Sequence, residues 1–337
     1  MTTPLRDSGE ASADTAGLSG AHEDATILPF VPREHGSALA TVAPSRKARV
    51  MQLLHASAIQ VLPALAVPLA AWMALRGDVH PWHVLTLLVM YVITILGIGV
   101  GYHRYLTHRS FQAGNGVKAA LTIAACMAAQ GPPLYWVGNH RRHHRYVDRD
   151  GDPHSPNWGR NRELGAWEGF WHAHVGWTLK HDLSNAMEHC PDLLRDPTVR
   201  WVARHYFAWI VLGLLLPALA GLAVTQTWAG FFQGLLWGGF LRLFFSYHMI
   251  NGINSLGHNR RWGYRRFDSS DSSRNIWFFG VFSLGEGWHN NHHADGSAAI
   301  FSRAWHELDV GGLFIVLLEK LGLARHVRRP RDTKDAA

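Results

Sequence analysis

Cysteine is almost missing from this 337-residue chain: only Cys126 and Cys190 occur, with no CxxC spacing. That excludes a disulfide framework and a thiolate-rich metal site; Cys126, inside an apolar run, reads as packing. Acidic side chains are in the minority, 25 Asp and Glu against 32 Lys and Arg, for a net charge of +7. No RNA- or DNA-binding motif accompanies that excess, so nucleic acid is not expected as a partner, and the charge is ascribed to topology and anionic lipid headgroups. No secretory leader is expected, because the first ~45 residues are rich in Ala, Ser, Thr, Gly and charge. They read as a disordered tail over 1–48, followed by one domain over 49–330 and a short tail over 331–337. No soluble redox module is expected at either end, so electrons for any redox reaction are expected from a separate protein.

Long apolar runs, by contrast, are plentiful. Crossing the hydrocarbon of a bilayer takes about 20 residues, and runs of this kind occupy 53–75, 82–102, 209–224 and 228–250. The third extends back to Trp201 only through Arg204 and His205. Trp82, Trp201 and Trp228 flank the runs as interfacial anchors, and the runs come as two close pairs. Buried helices of a large soluble domain are the alternative, which the lengths, flanks and pairing disfavour. Most Lys and Arg fall within 104–200 and 260–334, and Arg46, Lys47 and Arg49 precede the first run; the short connectors 76–81 and 226–227 carry only Arg76. Positive residues stay on the cytoplasmic side, so both termini and both polar segments are expected there. The stretch 117–136, broken by Lys118, Gln130, Gly131, Pro132 and Pro133, is expected to lie on or dip into the surface, because a fifth crossing would part His140 from His103. Residues 163–180 are aromatic and amphipathic, suited to roofing a site, and 313–323 is the last expected helix. The expected fold class is all-α integral membrane, with four transmembrane helices in two hairpins and a cytoplasmic helical cap.

Histidine is what that cap has in excess, with 23 in the chain. Two HxxHH triplets, His140/His143/His144 and His289/His292/His293, are joined by HxxxxH at His103/His108 and NxxxH at Asn254/His258. Residues at i, i+3 and i+4 project from one helix face, so each triplet is expected to present three imidazoles to one centre. His103 and His108 would lie about 140° apart on an ideal helix, so sharing one ion needs a bend or unwinding, whereas two ions side by side do not. A single ion takes about four to six ligands; nine imidazoles and Asn254 therefore imply two metals, which imidazole chemistry leaves open among Zn, Cu, Fe and Ni. Glu286, Asp148 and Asp152 are candidates to accept the second ring N–H of these histidines, with loop capping the alternative for the two aspartates. Other histidines, such as His55, His80, His172 and His326, follow no such pattern and read as ordinary surface or hydrogen-bonded rings.

The strings HRYLTH at 103–108, HRRHH at 140–144 with DPH at 152–154, NSLGH at 254–258 and GEGWHNNHH at 285–293 resemble, in the same order, the membrane fatty acyl desaturases of the stearoyl-CoA (delta-9) type, including bacterial members. The resemblance covers about 52–330. It implies a four-helix, mushroom-like arrangement in a membrane, here the bacterial inner membrane. It further implies two non-haem irons on His103, His108, His140, His143, His144, His258, His289, His292 and His293, with Asn254 reaching a metal through water. Members use O2 and two electrons to place a cis double bond in a fatty acyl chain; a ferredoxin- or flavoprotein-type reductase is the implied donor. Where animal members carry an arginine two residues before the first triplet, this chain has Gly138, then Asn139. Where they carry a basic pair after an HVGW-like segment, it runs from 174–177 to Lys180, His181 and Asp182, and 294–301 departs from the usual aromatic–proline continuation. The carrier is thereby left open among CoA, lipid and carrier protein.

An unactivated methylene offers no acidic proton, so general acid–base catalysis cannot cleave it, whereas a metal-bound oxidant can if water is excluded. A tunnel between the spans would bury the acyl tail, and Tyr91, ~18 Å before His103 along the helix, either closes that tunnel or packs against a neighbour. Hydroxylation of an alkane, lipid or carotenoid on the same scaffold is the competing reading. Metal transport or sensing, the remoter one, would need ligands through both leaflets. Arg242, in the fourth run, is expected to snorkel or to pair with a lipid phosphate.

Overall fold

The computed structural model describes residues 40–180 and 182–331. The expected tails fall outside the described residues over 1–39 and 332–337. The part of the expected N-terminal tail that is described, 40–48, is folded: Thr41–Val42 pairs antiparallel with Leu183–Ser184, and the Ser45 hydroxyl caps the first helix by accepting from Ala48 N at 3.2 Å.

Helices dominate; the strands among the described residues form three two-stranded ribbons. Among the described residues three helices are long and apolar enough to cross a membrane, Arg46–Leu75, Pro81–Thr107 and Tyr206–Thr225. Leu54, Leu65, Leu85 and Leu219 on these helices are each more than half exposed, an apolar girdle that suits lipid rather than water. The fourth expected span is helical over 228–257 but is not one of these three; Gln233 and Arg242 interrupt its apolarity. The third does not run back to Trp201, because His205 (φ −100°, ψ 20°) separates Pro197–Arg204 from Tyr206–Thr225.

The stretch 117–136 does not cross. Its helix, Asn115–Cys126, has 12 residues, too few to span. It packs backbone to backbone on the second long helix, where a Cβ at Gly97 would stand 2.3 Å from Ala125 N and one at Gly101 would stand 2.7 Å from Leu121 O. The loop that follows, 127–132, is tied to every long helix. His55 Nε2 donates to Ala129 O (3.0 Å) and Tyr102 Oη to Gly131 O (3.2 Å), while Gly131 N–H donates to Tyr206 Oη (2.8 Å). From 228–257, Arg242 Nη1 donates to Met127 O (2.6 Å), and Ser246 O accepts from Gln130 Nε2 (3.2 Å).

Arg242 corrects its expectation. It is fully buried and reaches neither the interface nor a lipid phosphate; its other donors meet Gly213 O at 2.8 Å and Gly238 O at 3.1 Å. Gly213 O is free to accept because Pro217, four residues on, has no N–H to offer it. Residues 166–180 are helical, with Trp167 and Trp171 exposed and Trp177 buried. The last helix is Val310–Lys320, capped by Asp309 accepting from Gly312 N at 2.8 Å.

Backbone-level packing at Gly97 makes a direct test. Gly97→Ala should lower the thermal midpoint in detergent, an overpacking cost of about 1–3 kcal/mol or more. Gly116→Ala lies in the same helix it would displace, has no atom within 4 Å of the added Cβ, and should hold or gain up to about 1 kcal/mol. Equal midpoints would refute the close approach.

Candidate metal centre

The histidine segments meet beyond one end of the long helices, where the first begins, the second ends and 228–257 ends. The second helix changes there to wide turns over Gly97–Thr107, with His108 N–H donating to His103 O at 3.1 Å, five residues back. This widening is the unwinding that HxxxxH requires, and it leaves the two rings 4.9 Å apart, centroid to centroid. Pro133 opens helix Pro133–Tyr146, where its missing N–H costs nothing, and the first triplet occupies that helix's last turns. The second triplet starts the short helix His289–Ala294.

Each triplet is divided between two groups, which corrects the expectation of one centre per triplet. His103, His108, His140, His144 and His292 have ligand nitrogens within 4.8 Å of one another, and so do His143, His258, His289 and His293. Successive helical residues diverge by about 100°. The i, i+4 pairs His140/His144 and His289/His293 therefore stay together, while His143 and His292 turn to the other group.

Four carboxylates hold the outer nitrogens. Nδ1 of His143 donates to Asp152 (2.9 Å), of His258 to Asp148 (3.1 Å), of His293 to Asp271 (3.0 Å) and of His103 to Glu286. With the proton on Nδ1, Nε2 keeps its lone pair, and it points inward. His143 Nε2 and His293 Nε2 face each other at 3.5 Å with both outer nitrogens already engaged. His258 and His289 approach Nε2 to Nε2 at 2.9 Å, and His292 and His144 at 3.0 Å. Opposed lone pairs repel unless a cation lies between them, so the donor set fits two metal ions. Burial pushes His140, His143, His144, His289 and His292 well below the ordinary imidazole value, keeping these rings neutral. Burial opposes the charge on Asp271, but the bond to His293 outweighs it and holds the carboxyl below its usual range.

Several residues of this frame had weak sequence signals or none. Asp271 lies 22 positions before His293, with nothing in the spacing to mark it. Arg104, fully buried beside His103, donates to Glu286 Oε1 (2.9 Å) and Asp309 Oδ1 (2.8 Å) and lies 3.9 Å over the Phe301 ring. The asparagines inside HNNHH anchor the second triplet: Asn290 Oδ1 accepts from Arg266 N and Phe267 N, and Asn291 Nδ2 donates to Glu307 Oε2. Gly285 (φ +117°) turns the chain into Glu286, and a Cβ there would stand 2.1 Å from Asp309 Oδ1.

An apolar cavity of ≈ 410 Å³ starts beside these groups, its wall including His140, Asn254, His154, Trp136 and Ile250. Asn254 stands one turn before His258, with its Nδ2 3.5 Å from Asn251 Oδ1. Tyr91 is not on the cavity wall; its hydroxyl donates to Phe282 O at 2.7 Å, so it takes the packing role. His154 packs between His143 and Trp177. A Cβ at Gly138 would meet nothing nearer than Ser184 Cβ at 3.5 Å, so its lack of a side chain is not forced by packing. His181 lies outside the described residues.

A family model described as fatty acid desaturase matches residues 80–309. A protein named hex-5-enoyl-(acyl-carrier protein) acetylenase, from Moorena producens (strain JHB), is 40% identical over 282 residues, covering 83% of this chain and 87% of that protein. An sn-1 stearoyl-lipid 9-desaturase of Anabaena variabilis is 38% identical over 245 residues (72% and 82%). Delta-9 acyl-lipid desaturase 1 of Arabidopsis thaliana is 36% identical over 254 residues (73% and 75%).

The two groups should be separable by their outer partners. Asp271→Asn should weaken the group containing His293 about 10–100-fold, so that mild chelation leaves one retained metal per chain where the unaltered protein retains two, measured by plasma emission spectrometry. Glu286→Gln should weaken the group containing His103 instead. Full metal retention in both variants would contradict the assignment of these carboxylates.

Proposed function

We propose, from the premise that this chain belongs to the fatty acid desaturase family, that it places a cis double bond at the ninth position of a saturated acyl chain, using two irons and O2. Introducing a double bond into a fatty acyl chain is an oxidoreductase activity, and the similarity to proteins named as 9-desaturases supports the position within the chain. In our reading His103, His108, His140, His144 and His292 hold one iron. His143, His258, His289 and His293 hold the other, with Asn254 reaching it through a water molecule. Helix 228–257 is the fourth crossing. The histidine cap faces the cytoplasm of a bacterium across its inner membrane, and a ferredoxin- or flavoprotein-type reductase docks there to supply electrons.

The observation that carries this reading is the set of opposed imidazole lone pairs at the end of an apolar cavity. The irons, when bound, supply with O2 an oxidant strong enough to take hydrogen from an unactivated methylene. The balance is two substrate hydrogens, two electrons and two protons with one O2, giving two waters and the alkene. The remaining work belongs to the chain. Ile250 and Trp136 line an apolar path that gains ~0.8 kcal/mol for each methylene it buries. The four carboxylates fix ring tautomer and orientation, and burial withholds water from the reacting carbons. The relative named as an acetylenase supports a second reading, the same hydrogen removal from a chain that is already unsaturated.

Expression in a host without this activity, followed by mass spectrometry of derivatised fatty acids, tests the proposal. New cis-9 monoenoic chains are expected, falling below detection in His143→Ala and His293→Ala. An alkyne from a supplied alkenoic acid would favour the acetylenase reading. Hydroxy acids without new double bonds would point to hydroxylation.

A further inference from the structure

Met51 and Phe207 line the cavity that starts at His140 and Asn254, yet they are 45% and 56% exposed. Residues that line a cavity and are themselves exposed stand at its mouth. Met51 belongs to Arg46–Leu75 and Phe207 to Tyr206–Thr225, both helices apolar enough to cross a membrane. The mouth therefore opens sideways between two lipid-exposed helices, at their metal-proximal ends. Arg204 is also on the cavity wall and exposed, and among the described residues its guanidinium has no hydrogen-bond or ion-pair partner. Trp201, three residues earlier on the same helix and 49% exposed, is a residue type that settles at headgroup depth, which puts Arg204, one turn on, near that level.

We infer that this mouth is a portal for acyl chains still esterified in a membrane glycerophospholipid, with Arg204 gripping the lipid phosphate. The inference rests on the desaturase reading and adds the route and the form of the substrate. A guanidinium matches a phosphate bidentately and is weakly hydrated, so it suits this depth. The headgroup stays at the mouth beside Arg204, while the tail leaves the bilayer between Met51 and Phe207 and follows the apolar wall inward. The cavity, at ≈ 410 Å³, is within the range of ligand pockets, about 300–1,000 Å³. No aqueous passage of the whole chain is needed.

The test uses the full, iron-loaded protein in vesicles of non-substrate diether lipid, with ferredoxin, its reductase and NADPH. Three substrates are offered separately: dipalmitoylphosphatidylglycerol, dipalmitoylglycerol and a palmitoyl thioester. Desaturation of the phospholipid-bound chains is expected. Met51→Trp and Phe207→Trp, surface changes with unaltered thermal midpoint, should cut it at least tenfold. Arg204→Gln should raise the apparent KM for phosphatidylglycerol about tenfold with kcat unchanged, and leave diacylglycerol unaffected; Arg204→Lys should partly restore it. Turnover of the thioester without the phospholipid would overturn the portal and leave the desaturase reading standing. An equal effect of Arg204→Gln on both glycerolipids would overturn the phosphate contact. No double bond in any substrate would remove the desaturase reading, and the portal with it.

Discussion

Four carboxylate–imidazole hydrogen bonds decide what this site is. Asp148, Asp152, Asp271 and Glu286 each take the outer proton of a histidine ring and so turn its other nitrogen inward as a lone pair; at His143 and His293, both held in this way, the two lone pairs face each other. A protein does not bury nitrogens in that way without a cation to reconcile them. The acids in turn bind the fold together. Asp148 also accepts from Ser272 N at 2.8 Å, joining the segment after the first triplet to the one before the second. Glu286 meets Arg104, which continues to Asp309 at the head of the last helix. Orienting the rings and closing the cap are one network.

The cap could not form on an ordinary pair of helices. His103 and His108 share a group only because the second long helix widens, and that helix can lie so close to its neighbours only because glycine recurs along it. A Cβ at Gly99 would stand 2.7 Å from Glu286 Oε1, so even the outer carboxylate depends on a missing side chain. The loop 127–132 supplies the other half of the support, pinned by His55, Tyr102, Tyr206 and Arg242 from four different helices.

Sequence reasoning located the clustered histidines because one residue type recurs at spacings that helix geometry brings to one side. The apolar runs were legible for a similar reason, since bilayer thickness sets a length. Two things were not legible. Which group the odd ring of each triplet joins depends on where the opposing helix sits, which no local pattern encodes. Asp271 and Arg242 act through partners far along the chain, His293 and Met127, and only the packed structure brings those together. Tyr91 shows the converse, because a residue at a plausible distance from the site along its own helix proved to be turned towards Phe282.

Arg242 also makes the two helix pairs depend on one another. A guanidinium released alone into hydrocarbon costs at least about 2.5–3.5 kcal/mol, and its acceptors belong to two other parts of the chain, Gly213 on the preceding helix and Met127 in the loop beyond the first helix pair. The left-handed turn at Gln226 (φ 55°) folds 228–257 back on Tyr206–Thr225, which brings the Gly213 carbonyl to the guanidinium. The Met127 carbonyl comes only with the loop that follows the first helix pair. Neither pair can therefore open without stranding a buried cation, so the two are expected to melt as one cooperative unit.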